Sequence, residues 1–177
     1  MSAEYSIQRA LLSNNLTLLK NELLLHNQPV VWGSGITILH YYIQNAEKIT
    51  LSSSEIISTI ISLGVPIDFG NRDGYSALHF AVSSNNPDLV KALIFKGANV
   101  NLKSSSGNTP VWRAFMDFRG LDSQRMIISF LLENGADLTI GNNSGISPLS
   151  MLERMKGDKY NEEKYNTLTE LINKVFN

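Results

Sequence analysis

Four stretches of this chain open on a glycine and then run in the same way: GITILH from Gly35, GYSALH from Gly74, GNTPVW from Gly107 and GISPLS from Gly145. Three others end on one: SLGVPID at Gly64, KGANVN at Gly97 and NGADLT at Gly135. The opening glycines stand 39, 33 and 38 residues apart, yet each closing glycine precedes the next opening one by 10 residues. Repetition on this scale is the mark of a repeat architecture. From opening to closing glycine the counts are 29, 23 and 28. All length variation therefore lies inside a unit, and none in the connection between units.

Each part of a unit has a local cause. NRDG and NNSG are turn-formers ending in glycine. Ser76, Thr109 and Ser147 are placed to cap a first helix, and Pro110 and Pro148 occupy its first position, where no N–H is needed. Asn86-Pro87 repeats cap and proline for a second helix, whose Leu89, Val90, Leu93 and Ile94 recur at helical spacing before Gly97 stops it. SSSE at 52–55 reads as a capping box.

Turn, a T-P-L-H-like phrase, a short first helix, a second helix and G-A-D-x-N together resemble the ankyrin repeat. Residues 71–103 match nearly throughout, through Gly74, Ser76, Leu78, His79, Ala81, Val90, Leu93, Gly97, Ala98 and Asn101. The resemblance implies an all-α solenoid of about five helix-pair units, with short β-hairpin fingers on one side. The units would run over about 1–31, 32–69, 70–103, 104–140 and 141–177 as one domain, the first and last acting as caps.

Composition limits what such a stack would meet. A net charge of −1 over 177 residues gives no reason to expect nucleic acid or an anionic membrane as partner. With no cysteine in the chain, disulfides and thiolate chemistry are absent, which suits a reducing cytoplasm. The first twenty residues lack the pattern of a signal peptide, and no apolar run reaches the roughly 18 residues of a membrane span.

Catalytic motifs are not found: there is no G-x-S-x-G, Walker phrase or G-x-G-x-x-G. His40 and His79 hold the same place in successive units. They could form a metal or acid–base pair, but the family pattern implies that each imidazole bridges backbone groups at the start of its helix. Asp68 and Asp137 fall at the G-A-D-x-N turn, where a carboxylate bonds nearby backbone. No catalytic residue, cofactor or metal is expected. Trp112 replaces the histidine in the fourth unit and should be mostly buried, with its indole N–H bonded.

The resemblance implies instead a binding surface made by the fingers and the exposed side of the first helices. Position by position, that surface offers Arg72, Asp73 and Tyr75 on the finger of the regular unit. Ser83 and Ser84 follow on its first helix and Lys96 at the end of its second. The preceding unit offers Ser34, Ile36, Gln44 and Asn45. The next offers Asn108, Met116 and Asp117, and the last Asn143. Insertions KITLSSS and DFRGLDSQ lengthen alternate units, and the second would expose Phe118 and Arg119 at the far edge. GNTPVWRAF…LLENGADLTIGNNSGISPLSML is similar to short bacterial ankyrin proteins, some of which are immunity proteins. The expected function is a cytoplasmic protein-binding module, monomeric when free, that neutralises a cognate toxin domain in a 1:1 complex. The alternatives are an effector or regulator binding another protein, and a metal protein or enzyme using His40 and His79.

Overall fold

A computed structural model describes residues 2–26, 31–33 and 35–176; Ser34 lies outside them. Among these residues ten α-helices form five antiparallel pairs. The pairs are α1 Ala3–Leu12 with α2 Leu16–Leu25, α3 Ile38–Asn45 with α4 Ser53–Ser62, α5 Ala77–Ser83 with α6 Pro87–Phe95, α7 Pro110–Asp117 with α8 Asp122–Glu133, and α9 Pro148–Met155 with α10 Glu162–Phe176. A 3₁₀ turn, Ala46–Lys48, follows α3.

Helix starts follow the side chains that can satisfy free backbone N–H groups. Thr109 accepts from Trp112 N at 3.2 Å, Asn86 from Leu89 N at 3.2 Å and Ser147 from Ser150 N at 3.1 Å. Pro87, Pro110 and Pro148 each begin a helix as their spacing predicts. The capping box expected at SSSE does not form. Ser52 precedes α4 but makes no side-chain cap bond.

Odd-numbered helices pack on one another in the order α1, α3, α5, α7, α9, and α4, α6, α8 and α10 form a second row behind them. Between the rows runs one apolar core, in which Leu39, Leu78, Leu89, Val111, Phe115, Ile128 and Leu168 are fully buried. Removing a Leu or Phe side chain of this kind from water contributes about 1.5–3 kcal/mol.

The fingers differ from expectation. Among the described residues they contain no strand, only an isolated antiparallel bridge between Val31 and Thr37. Each is a compact turn instead. Asn71 N bonds Tyr75 O at 3.0 Å and Asn71 Oδ1 accepts from Asp73 N and Tyr75 N at 3.0 and 2.9 Å. Asn142 does the same for Ser144 and Ile146, both at 3.0 Å. An Asn side chain thus supplies the acceptors that a strand partner would otherwise provide. Neighbouring turns are stitched by Ser105 N to Asp73 O at 2.9 Å and Asn143 N to Ser106 O at 3.0 Å. The approach is close enough to exclude a side chain. A Cβ on Gly74 (φ +74°) would stand 2.5 Å from Ser105 N, and one on Gly107 (φ +79°) 2.7 Å from Asn143 N.

Both insertions fold onto the body. In the first, Ile49 is buried and Thr50 N donates to Asn14 Oδ1 at 2.6 Å. In the second, Gln124 clamps the connection: its Oε1 accepts from Arg119 N at 2.7 Å and its Nε2 donates to Asp117 O at 2.8 Å. Phe118, expected at an exposed rim, is 3% exposed and belongs to the core. The connection reverses direction there, and the phenylalanine ring takes the space beneath it while Leu121 stays exposed.

Candidate functional site

Three side chains in equivalent places tie each inner helix to the next. His40 Nε2 reaches Tyr75 O at 2.9 Å, His79 Nε2 reaches Asn108 O at 3.0 Å, and Trp112 Nε1 reaches Ile146 O at 3.0 Å. Each carbonyl belongs to the residue just before the next helix's cap. The opposite ring nitrogens, Nδ1 of His40 and His79, accept from Thr37 N and Ser76 N, both at 3.2 Å. A carbonyl only accepts and a backbone N–H only donates, so both imidazoles are neutral with the proton on Nε2. Neither ring has a lone pair left for a metal or a proton transfer. Trp112, expected to be mostly buried, is partly buried with its indole N–H bonded; it keeps the reach to the next unit but has no second nitrogen for its own cap. Ser150, in the last unit, closes only its own cap, by accepting from Ser147 N at 2.9 Å.

Burial lowers the pKa of both histidines from 6.5. Bonds to the Tyr75 and Asn108 carbonyls oppose this, and for His79 Arg113 and His40 lower it further. With the folded pKa depressed, the unfolded chain binds more protons in the window just below 6.5. The contribution of the neutral rings is therefore complete above about pH 6.5 and is lost as pH falls through the folded values. Urea midpoints measured from pH 8 down to 5 should decline below 6.5, and a double His40→Gln, His79→Gln variant should flatten that decline. A wild-type profile level across the window would remove the histidines from the account.

The inner helices present two recesses with the same chemistry. One, about 400 Å³, lies between α1 and α3 and is lined by Tyr5, Gln8, Arg9, Leu12, Ser13 and Tyr41. The second, about 200 Å³, lies between α5 and α7 and is lined by Tyr75, His79, Phe80, Ser83 and Arg113. Each joins aromatic walls to one arginine and a hydroxyl. Edge-to-face contacts hold the walls: Trp32 with Tyr41 at 5.2 Å, His40 with Phe80 at 5.4 Å and Tyr75 with His79 at 5.4 Å. Arg113 Nε is fixed by Asp117 Oδ2 at 2.5 Å, across one turn of α7. Rigid aromatic and arginine side chains on a fixed frame are the groups from which protein interfaces draw most of their energy.

Against this face the residues named from sequence divide. Tyr75 and Ser83 line the α5–α7 recess and Asp117 holds its Arg113, whereas Gln44 and Met116, the latter 46% exposed, line neither recess. Ile36 is half-buried, while Ser84 is exposed with its hydroxyl bonded to Ala81 O at 2.9 Å. Asn45 donates to Tyr41 O at 2.9 Å, so its amide supports the helix end. At the turn tips Arg72 bonds Gly33 O and Asn143 Nδ2 donates to Ser105 O at 2.8 Å, both spent in joining units, and Asp73 stands exposed between them. Asn108 is buried, correcting its placement on an exposed finger: its N–H bonds Ser104 Oγ at 3.2 Å and its Oδ1 accepts from Asn142 at 3.0 Å. Lys96 caps α6 in the outer row and does not reach the recesses. Sequence reading missed Tyr5, Arg9, Tyr41, Phe80 and Arg113. The last three share a signal, since each follows the bridging His or Trp of its unit.

Comparison with known proteins agrees with this architecture. The family model for ankyrin repeats, three copies, matches residues 7–104 and 51–142. An ankyrin repeat-containing protein of Schizosaccharomyces pombe is 23% identical over 100 residues, covering 56% of this chain and 45% of that protein. A putative ankyrin repeat protein of Fowlpox virus is 31% identical over 105 residues, 56% of this chain and 30% of the relative. An ankyrin repeat protein of Monkeypox virus is 31% identical over 127 residues, 71% of this chain and 20% of the relative. The chain spans less than half the length of each. It belongs to the ankyrin-repeat family, and so to a class of protein-binding modules. Among the described residues no helix is long and apolar enough to cross a membrane.

Proposed function

We propose that this chain acts by holding another protein against its inner-helix face, without catalysis. The pair of aromatic–arginine recesses carries this reading, because their walls are held in place by edge-to-face ring contacts and by the Arg113–Asp117 pair. Preorganisation of this kind lowers the ordering cost of association. The finer form of the proposal is a monomeric inhibitor in a bacterial cytoplasm that neutralises a toxin domain 1:1. It rests on the resemblance of the last two units to short bacterial ankyrin proteins, and the fungal and viral relatives lend it nothing. A cytosolic regulator or effector would use the same face on a different partner.

Affinity capture from the native cells, followed by reconstitution of the captured protein in pure form, tests the reading. A Tyr41→Ala, Arg113→Glu variant should weaken the reconstituted complex about tenfold or more, while Met126→Ala on the outer helix α8 should leave it unchanged. The opposite pattern would move the site to the outer row. Titrating the partner's own activity separates the finer readings: loss of a toxic activity at one equivalent supports the inhibitor, and an unaffected activity removes it.

A further inference from the structure

The edge of the stack away from the turns carries a second feature that partner binding at the inner face does not use. The α7–α8 connection and the first turn of α10 enclose a cleft of about 310 Å³, lined by Phe118, Arg119, Tyr160, Glu163, Lys164 and Thr167. Phe118 and Thr167, 3% and 8% exposed, form its floor. Two cations face it, and among the described residues neither has a carboxylate within ion-pair distance. The acids that could neutralise them are committed elsewhere or stand in water. Asp117 is taken by Arg113 at 2.5 Å. Asp158 accepts from Tyr160 N at 2.9 Å and Asn161 Nδ2 at 2.7 Å, which fixes the loop that leads into α10. Glu163 sits exposed at the rim.

We propose that this cleft binds a phosphate-class dianion, held between Arg119 and Lys164. Arg119 is already oriented, with Nη1 donating to Met116 O at 3.3 Å and Phe118 O at 3.1 Å, which leaves the rest of its planar donor fork free. The N–H groups of the first turn of α10 add partial positive charge on the same side, opposed by Glu162 and Glu163 of that turn, which stand exposed to water. Burial lowers the pKa of the Lys164 ammonium, Arg119 lowers it further and Asp117 partly opposes them. An anion between the two cations would reverse the first two effects. A single carboxylate neutralises one of these charges, whereas a phosphate-class oxyanion neutralises both, which is why a dianion is the better match. The Gln124 clamp, which ties Arg119 N and Asp117 O to α8, holds the connection in the shape that the cleft requires.

The probe is inorganic phosphate, titrated into the isotopically labelled chain at constant ionic strength and about pH 8, where inorganic phosphate is mostly and a phosphate monoester almost fully dianionic. A second titration uses O-phosphoserine, and a third uses acetate. Saturable amide shifts at Gly120, Asn161 and Lys164 with phosphate are expected, and Arg119→Ala or Lys164→Gln should each weaken binding about tenfold or more. Lys91→Ala, on the outer helix α6, should have no effect. A response to O-phosphoserine alone supports the site and identifies a phosphorylated side chain as its source. A response to free phosphate identifies a small ligand. No saturable shift with either, an equal response to acetate, or binding that survives both variants would overturn the proposal. The spectra of the variants show directly whether each remains folded.

Discussion

Replacing Phe118 with alanine is expected to lower unfolding free energy by about 3–5 kcal/mol, the range for truncating an enclosed phenylalanine. The ring is 3% exposed beneath the connection from α7 to α8, and its other side meets the cleft at the start of α10. Two effects add in such a truncation: the lost transfer of the ring from water, and the void left where Gln124 prevents the connection from settling inward. Urea unfolding of Phe118→Ala checks this, with Met116→Ala, whose side chain is 46% exposed, as the comparison. A cost for Phe118→Ala no larger than that for Met116→Ala would restore the residue to the surface. The experiment also separates stability from recognition, because a variant that folds poorly says nothing about the inner face.

His79→Ala should cost about 2–4 kcal/mol, since it strands polar groups as well as leaving space. Ser76 N and Ser76 Oγ lose their partner Nδ1, at 3.2 and 3.0 Å, and Asn108 O loses the donor at 3.0 Å while keeping Ser104 N at 2.9 Å, around a side chain that is 1% exposed. Each buried group left unpaired costs about 1–3 kcal/mol. Denaturation at pH 8, where the wild-type ring is neutral, isolates this effect from titration. A loss below about 1 kcal/mol would mean that water replaces both bonds without penalty, and that the imidazole is not what joins α5 to α7.

The parts of the fold that could be read from sequence are those specified by short-range chemistry. Thr109 and Pro110, Asn86 and Pro87, and the glycine stops each determine a boundary within a few residues of themselves, and they appear where expected. Phe118 could not be placed because it has no counterpart in the regular unit: repetition gives the direction of a side chain only at repeated positions. Asn108 was misassigned because Ser104 stands where the turns at 71 and 142 have asparagine, and the hydrogen bonds are redistributed around it. Stitching of Arg72 and Asn143 to neighbouring turns depends on how units sit against each other, which no local pattern records. The inner-face residues were partly legible. Tyr41, Phe80 and Arg113 recur one place after the bridging residue, but the three differ in type, and a search for like residues passes over them.

The substitution of tryptophan for histidine makes the stack directional toward acid. The joints from α3 to α5 and from α5 to α7 each depend on an imidazole that must stay neutral, whereas the joint from α7 to α9 depends on an indole that has no proton to gain in this range. Mild acid therefore loosens the joints linking the second, third and fourth pairs before the joint between the fourth and the fifth. In hydrogen exchange near pH 5.5, between the pH 5 and 8 limits where histidine charge changes matter most, protection should fade first across α3 and α5 and persist across α7 and α9. The α5–α7 recess, lined by His79, lies at one of the acid-sensitive joints, so a partner seated there would lose its footing in mild acid while the α7–α9 end of the face kept its shape.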